Sequence, residues 1–182
     1  MISREADHLL FRSSPMANRV SASITLGGTL SPYAYEALTA LITAEALSTE
    51  WDGEPFEADH HIPGTALSLF AHVVANGRFE ALEAWCAEHG IAFARWSGAY
   101  PSQWGAERVV FTGAGEPISY PVDEDDYVVI GRAALERLAS FDAVLAYFDA
   151  ADFVVPPLVV GDAAPFPQEP LARPGFDETV SS

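Results

Sequence analysis

The densest chemistry in the chain is the run Asp123-Glu124-Asp125-Asp126, four consecutive carboxylates. Such a run repels itself and is tolerated in a solvated turn, around a cation or against a basic partner. A calcium loop of the helix-loop-helix kind needs Gly at its sixth position and Glu at its twelfth, where this segment has Val128 and Ala134, so calcium is set aside. His60 and His61, beside Asp59 and with His72 further on, invite a metal. Adjacent residues of an extended segment point to opposite sides, however, so the two imidazoles do not converge on one ion. The single cysteine, Cys86, falls on an apolar helical stripe and reads as an inert buried thiol. Gly27-Gly28 ahead of a helix could cradle phosphate, but no Lys or Arg lies between Arg19 and Arg78 to assist. Gly113 and Gly115 lead into Pro117 rather than into a dinucleotide fingerprint. The nucleophile elbow, the phosphate-loop lysine and the zinc-protease helix motif are likewise missing from the sequence. No catalytic residue, metal or cofactor follows from these patterns.

Charge carries more information. Among 182 residues there are 26 acids against nine bases, a net charge of −17. Every base is Arg. Charged residues make up 19% of the chain, below the roughly 25% usual for globular proteins, so the imbalance owes more to missing lysine than to surplus acid. Such a surface repels nucleic acid and anionic lipid and attracts basic partners. No segment reaches the roughly 20 apolar residues of a membrane helix, and a single cysteine suits a reducing cytoplasm.

The elements that must position these groups are well punctuated. Met1 to Arg19 forms a loose arm, residues 20 to 160 one domain, and residues 161 to 182 a Pro-rich disordered tail. Val20 to Leu26 alternates as a strand closed by Gly27-Gly28, and Ser31-Pro32 caps a helix burying Leu38, Leu41, Ile42 and Ala46. Thr49 to Gly64 is an acidic loop pinned to the core by Trp51 and Phe56. Leu67 to Ser97 reads strand, helix, strand. Its helix starts on Asn76 or Gly77, is striped by Phe79, Leu82, Trp85 and Cys86, and stops at Gly90 with Ile91 folding back. Strands follow over Glu107 to Thr112 and Ile118 to Val122. The helical stretch from Arg132 to Asp149 spaces Leu135, Leu138, Phe141, Leu145 and Phe148 for burial, with Ser140 offering a second cap. Val154 to Val160 closes against a sheet edge, where proline is tolerated.

The predicted fold is α+β: a mixed sheet of about five strands in the order strand, helix, strand, helix, strand, strand, strand, helix, with helices mainly on one face. The first two crossovers should place their strands parallel and the later short connections should be antiparallel.

Three signatures, Ile24-Thr-Leu-Gly-Gly, Asn76-Gly-Arg-Phe-Glu-Ala-Leu-Glu and His89-Gly-Ile, resemble a loose set of uncharacterised small acidic proteins of bacterial plasmids and phages, over roughly Val20 to Thr112. The resemblance implies a mobile-element setting, in which such proteins block host defence enzymes. Together with the charge, it predicts an acidic, non-enzymatic binding protein. Its specific form would be a DNA mimic of anti-restriction or anti-CRISPR type, with a basic nuclease or CRISPR component as partner. A small cytoplasmic enzyme with dispersed carboxylates and an immunity or adaptor protein with an acidic face are the alternatives. The predicted binding residues are Asp123, Glu124, Asp125 and Asp126, with Tyr100 and Trp104 of the Gly98 to Ala106 loop as aromatic anchors.

Overall fold

The computed structural model describes residues 18–161. Most of the arm and the tail lie outside them. Asn18, Arg19 and Gly161 are placed: the Asn18 carbonyl accepts from the Asn76 N–H, Arg19 opens the first strand, and the Gly161 N–H donates to the Leu30 carbonyl at 2.8 Å.

The architecture is α+β. Strand β1 (Arg19–Leu30) is central, with β2 (Leu67–Ala75) on one side and β3 (Ala92–Ser97), β4 (Glu107–Phe111) and β5 (Ile118–Pro121) in succession on the other. All these pairs are antiparallel. A short β6 (Leu158–Val160) pairs parallel with Gly28 to Leu30, so the sheet is mixed. The helices are α1 (Pro32–Ala44), α2 (Glu80–His89), α3 (Arg132–Leu138) and α4 (Phe141–Ala151).

The first crossover is not parallel as expected. After α1 the chain has 22 residues before β2, enough to travel back and enter from the same end, and Ser48 bridges Phe70 on the way. The second crossover does join strands of one direction, since β2 and β3 both run opposite to β1, which lies between them. Nor does Gly27-Gly28 end its strand. The Pro156 carbonyl occupies the space where a Gly27 Cβ would stand, so glycine there lets the segment before β6 cross close to β1.

Local capping accounts for α1 and α2. Ser31 Oγ accepts from the Ala34 N–H at 3.2 Å with Pro32 at the first helical position. Ala46 lies beyond the helix, exposed and at φ 54°, so it is not part of the buried face; Leu47 takes that place. In α2 neither Asn76 nor Gly77 caps. Both adopt positive φ in a turn, the helix begins after Phe79, and the Glu83 carboxylate reaches back to the Phe79 N–H at 2.9 Å. The other end is a Schellman cap: Gly90 is left-handed at φ 66°, and the Ile91 N–H donates to the Cys86 carbonyl at 2.9 Å.

Strand alternation sorts the sheet into two faces. Leu69, Ile24, Arg95, Val109 and Ser119 make one cross-sheet row, and Leu67, Leu26, Phe93 and Phe111 the next. Leu38 and Ile42 of α1 and Leu82 and Cys86 of α2, with Phe79 just before it, join these in one buried core. Burial, then the nearby Glu83 carboxylate, pushes the Cys86 thiol up to about 12, so it carries no thiolate at neutral pH.

One member of the core row is a cation. The Arg95 side chain is 1% exposed; its Nη2 donates to Glu107 Oε1 at 2.7 Å, and its Nη1 donates to Ser97 Oγ and to the Gly77 carbonyl, both at 2.9 Å. Arg95 Nε stands 3.0 Å from Glu83 Oε1 without the alignment of a hydrogen bond, a purely ionic contact. The cluster fastens α2, the Gly77 turn, β3 and β4 together. Burial raises the Glu83 pKa and outweighs the Arg95 charge. At Glu107 burial pushes the same way, but hydrogen bonds from Arg95 and Ser119 and the charges of Arg95 and Arg78 together hold its pKa below the ordinary value.

The helical stretch after Arg132 is in two pieces, with Ser140 Oγ accepting from the Ala143 N–H at 3.1 Å to start α4. The expected burial of its stripe is not found. Left-handed Ala139 separates and re-phases the two helices. As a result α4 turns Val144, Tyr147 and Ala151 inward and packs on Val110 and Tyr120, on the sheet face opposite α1 and α2. Leu135 and Phe141 are left 46% and 74% exposed.

Candidate functional site

The acidic run is a knitted turn. Asp123 Oδ1 accepts from the N–H groups of Asp125 (3.0 Å) and Tyr127 (2.9 Å), and the Asp123 N–H donates to the Tyr127 carbonyl at 2.9 Å. Glu124 Oε1 accepts from the Ala99 N–H at 3.1 Å, which ties the run to the start of the Gly98 to Ala106 loop. Asp126, left-handed at φ 65°, takes Arg108 Nε on Oδ1 at 3.0 Å. Arg108 Nη1 also donates to Asp152 Oδ1 at 2.7 Å and to the Ala151 carbonyl at 3.1 Å. One arginine thereby joins the acidic turn to the end of α4. Burial works against the charge on Arg108, but hydrogen bonds and charge from Asp126 and Asp152 outweigh it and hold its pKa above the usual value. Among the four acids, Asp125 alone points its carboxylate to solvent without a partner among the described residues.

Tyr100 and Trp104 stack on each other at 5.2 Å and 29°. Trp104 lines a cavity of about 360 Å³ with Asn76, Arg78, Glu80 and Glu107, while the run reaches the same loop through the Glu124–Ala99 hydrogen bond. The histidines part company as their adjacency implies: His60 Nδ1 accepts from the Glu57 N–H at 3.2 Å, whereas the His61 ring packs 5.6 Å from Tyr35.

A different group of side chains gathers on the outer face of β2, β1 and β3. There Phe70, Ser23, Trp96, Arg108 and Tyr120 form one cross-sheet row, and Ser68, Thr25 and Ala94 the next. Trp51, expected in the core, is 40% exposed and lies over this face instead. Its ring is 5.0 Å from Phe70, 4.8 Å from His72 and 6.4 Å from Trp96 at 89°. Phe56, by contrast, is buried as expected. Beside Trp96 lies a trough of about 370 Å³, floored by Ser23 and Thr25, walled by Phe153, Val154 and Val155, and ending at Arg108, Asp126 and Asp152. Carboxylates stand on both sides: Glu50, Asp52 and Glu54 in the turn carrying Trp51, and Glu124 in the turn whose Asp123 carbonyl receives Trp96 Nε1–H at 3.4 Å.

His72 Nε2 is 3.0 Å from Asp52 Oδ1, and its Nδ1 is 3.5 Å from Ser21 Oγ. These are the residue types of a hydrolase relay. Ser21 sits near the start of strand β1, however, with no strand-to-helix turn to aim backbone N–H groups at an oxyanion. The contacts instead orient the imidazole against Trp51.

Comparison with known protein families, curated proteins and solved structures finds no match to the chain. No helix among the described residues is long and apolar enough to cross a membrane. The aromatic group escaped sequence reasoning because its members come from a loop and two strands. The available signal was alternation: Ser21, Ser23 and Thr25 share a strand face, and Trp96 stands out of phase with buried Phe93 and Arg95.

Proposed function

We propose that the chain is a cytoplasmic, non-enzymatic binding protein that takes a basic protein partner on the outer face of β2, β1 and β3. The observation that carries this reading is exposed Trp51 standing edge-on to half-buried Trp96 between two carboxylate-bearing turns. Aromatic side chains at the centre of a contact supply affinity, and charges at its rim supply steering. Arginine or lysine side chains laid across this face would meet the rings of Trp51 and Trp96, with the carboxylates of Asp52 and Glu124 in the turns on either side. The specific form favoured by the net charge and by the resemblance to mobile-element proteins is a DNA mimic acting on a nucleic-acid-binding defence enzyme. The acidic run would contribute chiefly through Asp125, because Asp123, Glu124 and Asp126 are engaged within the fold.

The test is capture of basic host proteins at low and high salt by the wild type, by Trp51→Ser with Trp96→Ser, and by Glu50→Gln with Glu54→Gln. The expected result is salt-sensitive capture, lost in the tryptophan variant and slowed in association by the glutamine variant. Duplex DNA added in competition should release the partner. Capture untouched by the tryptophan variant would overturn the site. Capture that DNA fails to compete would remove mimicry and leave an adaptor.

A further inference from the structure

We infer that the trough beside Trp96 is an arginine pocket, which holds the guanidinium of one arginine side chain of the basic partner. This rests on the reading of the outer face just given and names the group that the face recognises. Three charged side chains line the trough: one base, Arg108, against two acids, Asp126 and Asp152, a net charge of −1. Arg95 lines it through its backbone, since its side chain is sealed in the core on the other face. Asp125, in an adjoining groove with Asp126 and Asp152, adds charge of the same sign. Arg19, at the start of β1, is turned to the Val73 carbonyl, to which it donates at 3.2 Å.

Hydrogen-bond bookkeeping decides which ion fits. Arg108 Nε donates to Asp126 Oδ1 at 3.0 Å, and Nη1 donates to the Ala151 carbonyl at 3.1 Å and to Asp152 Oδ1 at 2.7 Å. Its Nη2 donates to the Asp126 carbonyl at 2.6 Å and stands 2.9 Å from Asp126 Oδ2. An anion entering the trough would therefore meet two carboxylates and a guanidinium whose every nitrogen is engaged. What stays open are acceptors. Asp152 is 64% exposed, and its Oδ2 has no partner among the described residues. Ser23 Oγ on the floor is likewise without one, whereas Thr25 Oγ1 is paired with Ser68 Oγ at 3.0 Å. Beside these acceptors stands the Trp96 indole, its Nε1–H donating to the Asp123 carbonyl at 3.4 Å. A planar ion with donors along its edge can stack on an indole while that edge reaches a carboxylate and a hydroxyl; a lysine ammonium is a compact, strongly hydrated point charge that gains less there. At about 370 Å³ the trough is small among ligand pockets, which run roughly 300–1,000 Å³, a size for one side chain rather than for a helix or strand.

Nα-acetyl-arginine amide titrated into the isotopically labelled full chain should shift the Trp96 indole N–H and the amides of Ser23, Thr25 and Asp152 along one saturating curve in heteronuclear correlation spectra. Nα-acetyl-citrulline amide, its neutral isostere, should bind at least about tenfold more weakly, and Nα-acetyl-lysine amide at least about threefold more weakly. Asp152→Asn and Trp96→Leu should each weaken the arginine probe about fivefold. Asp152→Asn should keep the wild-type circular dichroism, because the side chain is exposed and Arg108 retains Asp126. Citrulline or lysine probes that bind as tightly as arginine, an Asp152→Asn variant that binds arginine unchanged, or shifts confined to Trp51 and Asp52 would each overturn the pocket, while the partner itself would still stand or fall on its own capture test. Capture of no basic protein, with the arginine probe still seated beside Trp96, would remove the partner and leave the pocket.

Discussion

Arg95 and Arg108 sit on neighbouring strands and point to opposite faces of the sheet, and each holds two carboxylates. Arg95 is sealed beneath α2, with side-chain exposure of 1%. Arg108 is open at the rim, where its partners Asp126 and Asp152 are 39% and 64% exposed. The same ion-pair chemistry therefore has different consequences. In the core, removing one partner strands the others away from water; at the rim, water replaces what is lost.

The largest effect should come from Arg95→Met, which leaves Glu83 and Glu107 without their cation. A loss of about 3–5 kcal/mol is expected, read as a fall in chemical-denaturation midpoint. Glu83→Gln should change stability by no more than about 1 kcal/mol in either direction, because Arg95 keeps Glu107 and the buried Glu83 carboxylate itself opposes folding at neutral pH. Arg108→Met should follow at about 1–2 kcal/mol, discounted for solvent screening. Its mark would be faster amide exchange confined to α4 and residues 122–128. Global unfolding by Arg108→Met, or only local loosening by Arg95→Met, would break the contrast.

Titration separates the two carboxylates of the buried cluster. The depressed pKa of Glu107 gives stability that is full above the ordinary carboxylate value and is lost as pH falls through the folded value. Glu83 has the opposite sign. Its raised pKa means that the carboxylate opposes folding at neutral pH, and this penalty is relieved as pH drops from the raised value toward the ordinary one. Melting temperature against pH should therefore show a shallower acid-side fall in Glu107→Gln and a smaller preceding rise in Glu83→Gln. The smallest effect is expected of Asp125→Asn, within about 0.5 kcal/mol. Asp126→Asn should exceed it, because Asp126 alone of the two binds Arg108.

Local features were legible from sequence where one or two residues decide the conformation. Ser31-Pro32, Gly90-Ile91 and Ser140 start or stop helices by their own hydrogen bonds and backbone freedom. The strand segments were legible too, and with them the α+β class. Strand direction was not, because a connection of 22 residues constrains no entry point. The role of Arg95 was hidden because its partners Glu83 and Glu107 come from a separate helix and strand. The stripe of Leu135, Phe141 and Leu145 misled for a different reason: periodicity registers that an apolar face exists, but not whether this chain covers it. The acidic run was visible as a cluster, while the engagement of Asp123, Glu124 and Asp126 depends on Ala99, Tyr127 and Arg108, which only folding brings near.

The pairing of β6 with Gly28 to Leu30 bears on biosynthesis. β1 leaves the ribosome before the other described elements, yet the end of this strand lacks its neighbour until Leu158–Val160 is made. The Leu158 N–H also bonds the Thr65 carbonyl at 2.9 Å, so the entry to β2 waits for the same three residues. Closing so long a loop is slow compared with forming α1 or the β3-β4-β5 meander. A nascent chain stalled before residue 158 would therefore hold a sheet with its central strand half dressed. Final locking of the fold, and of the trough above it, is set after translation of β6 rather than during it.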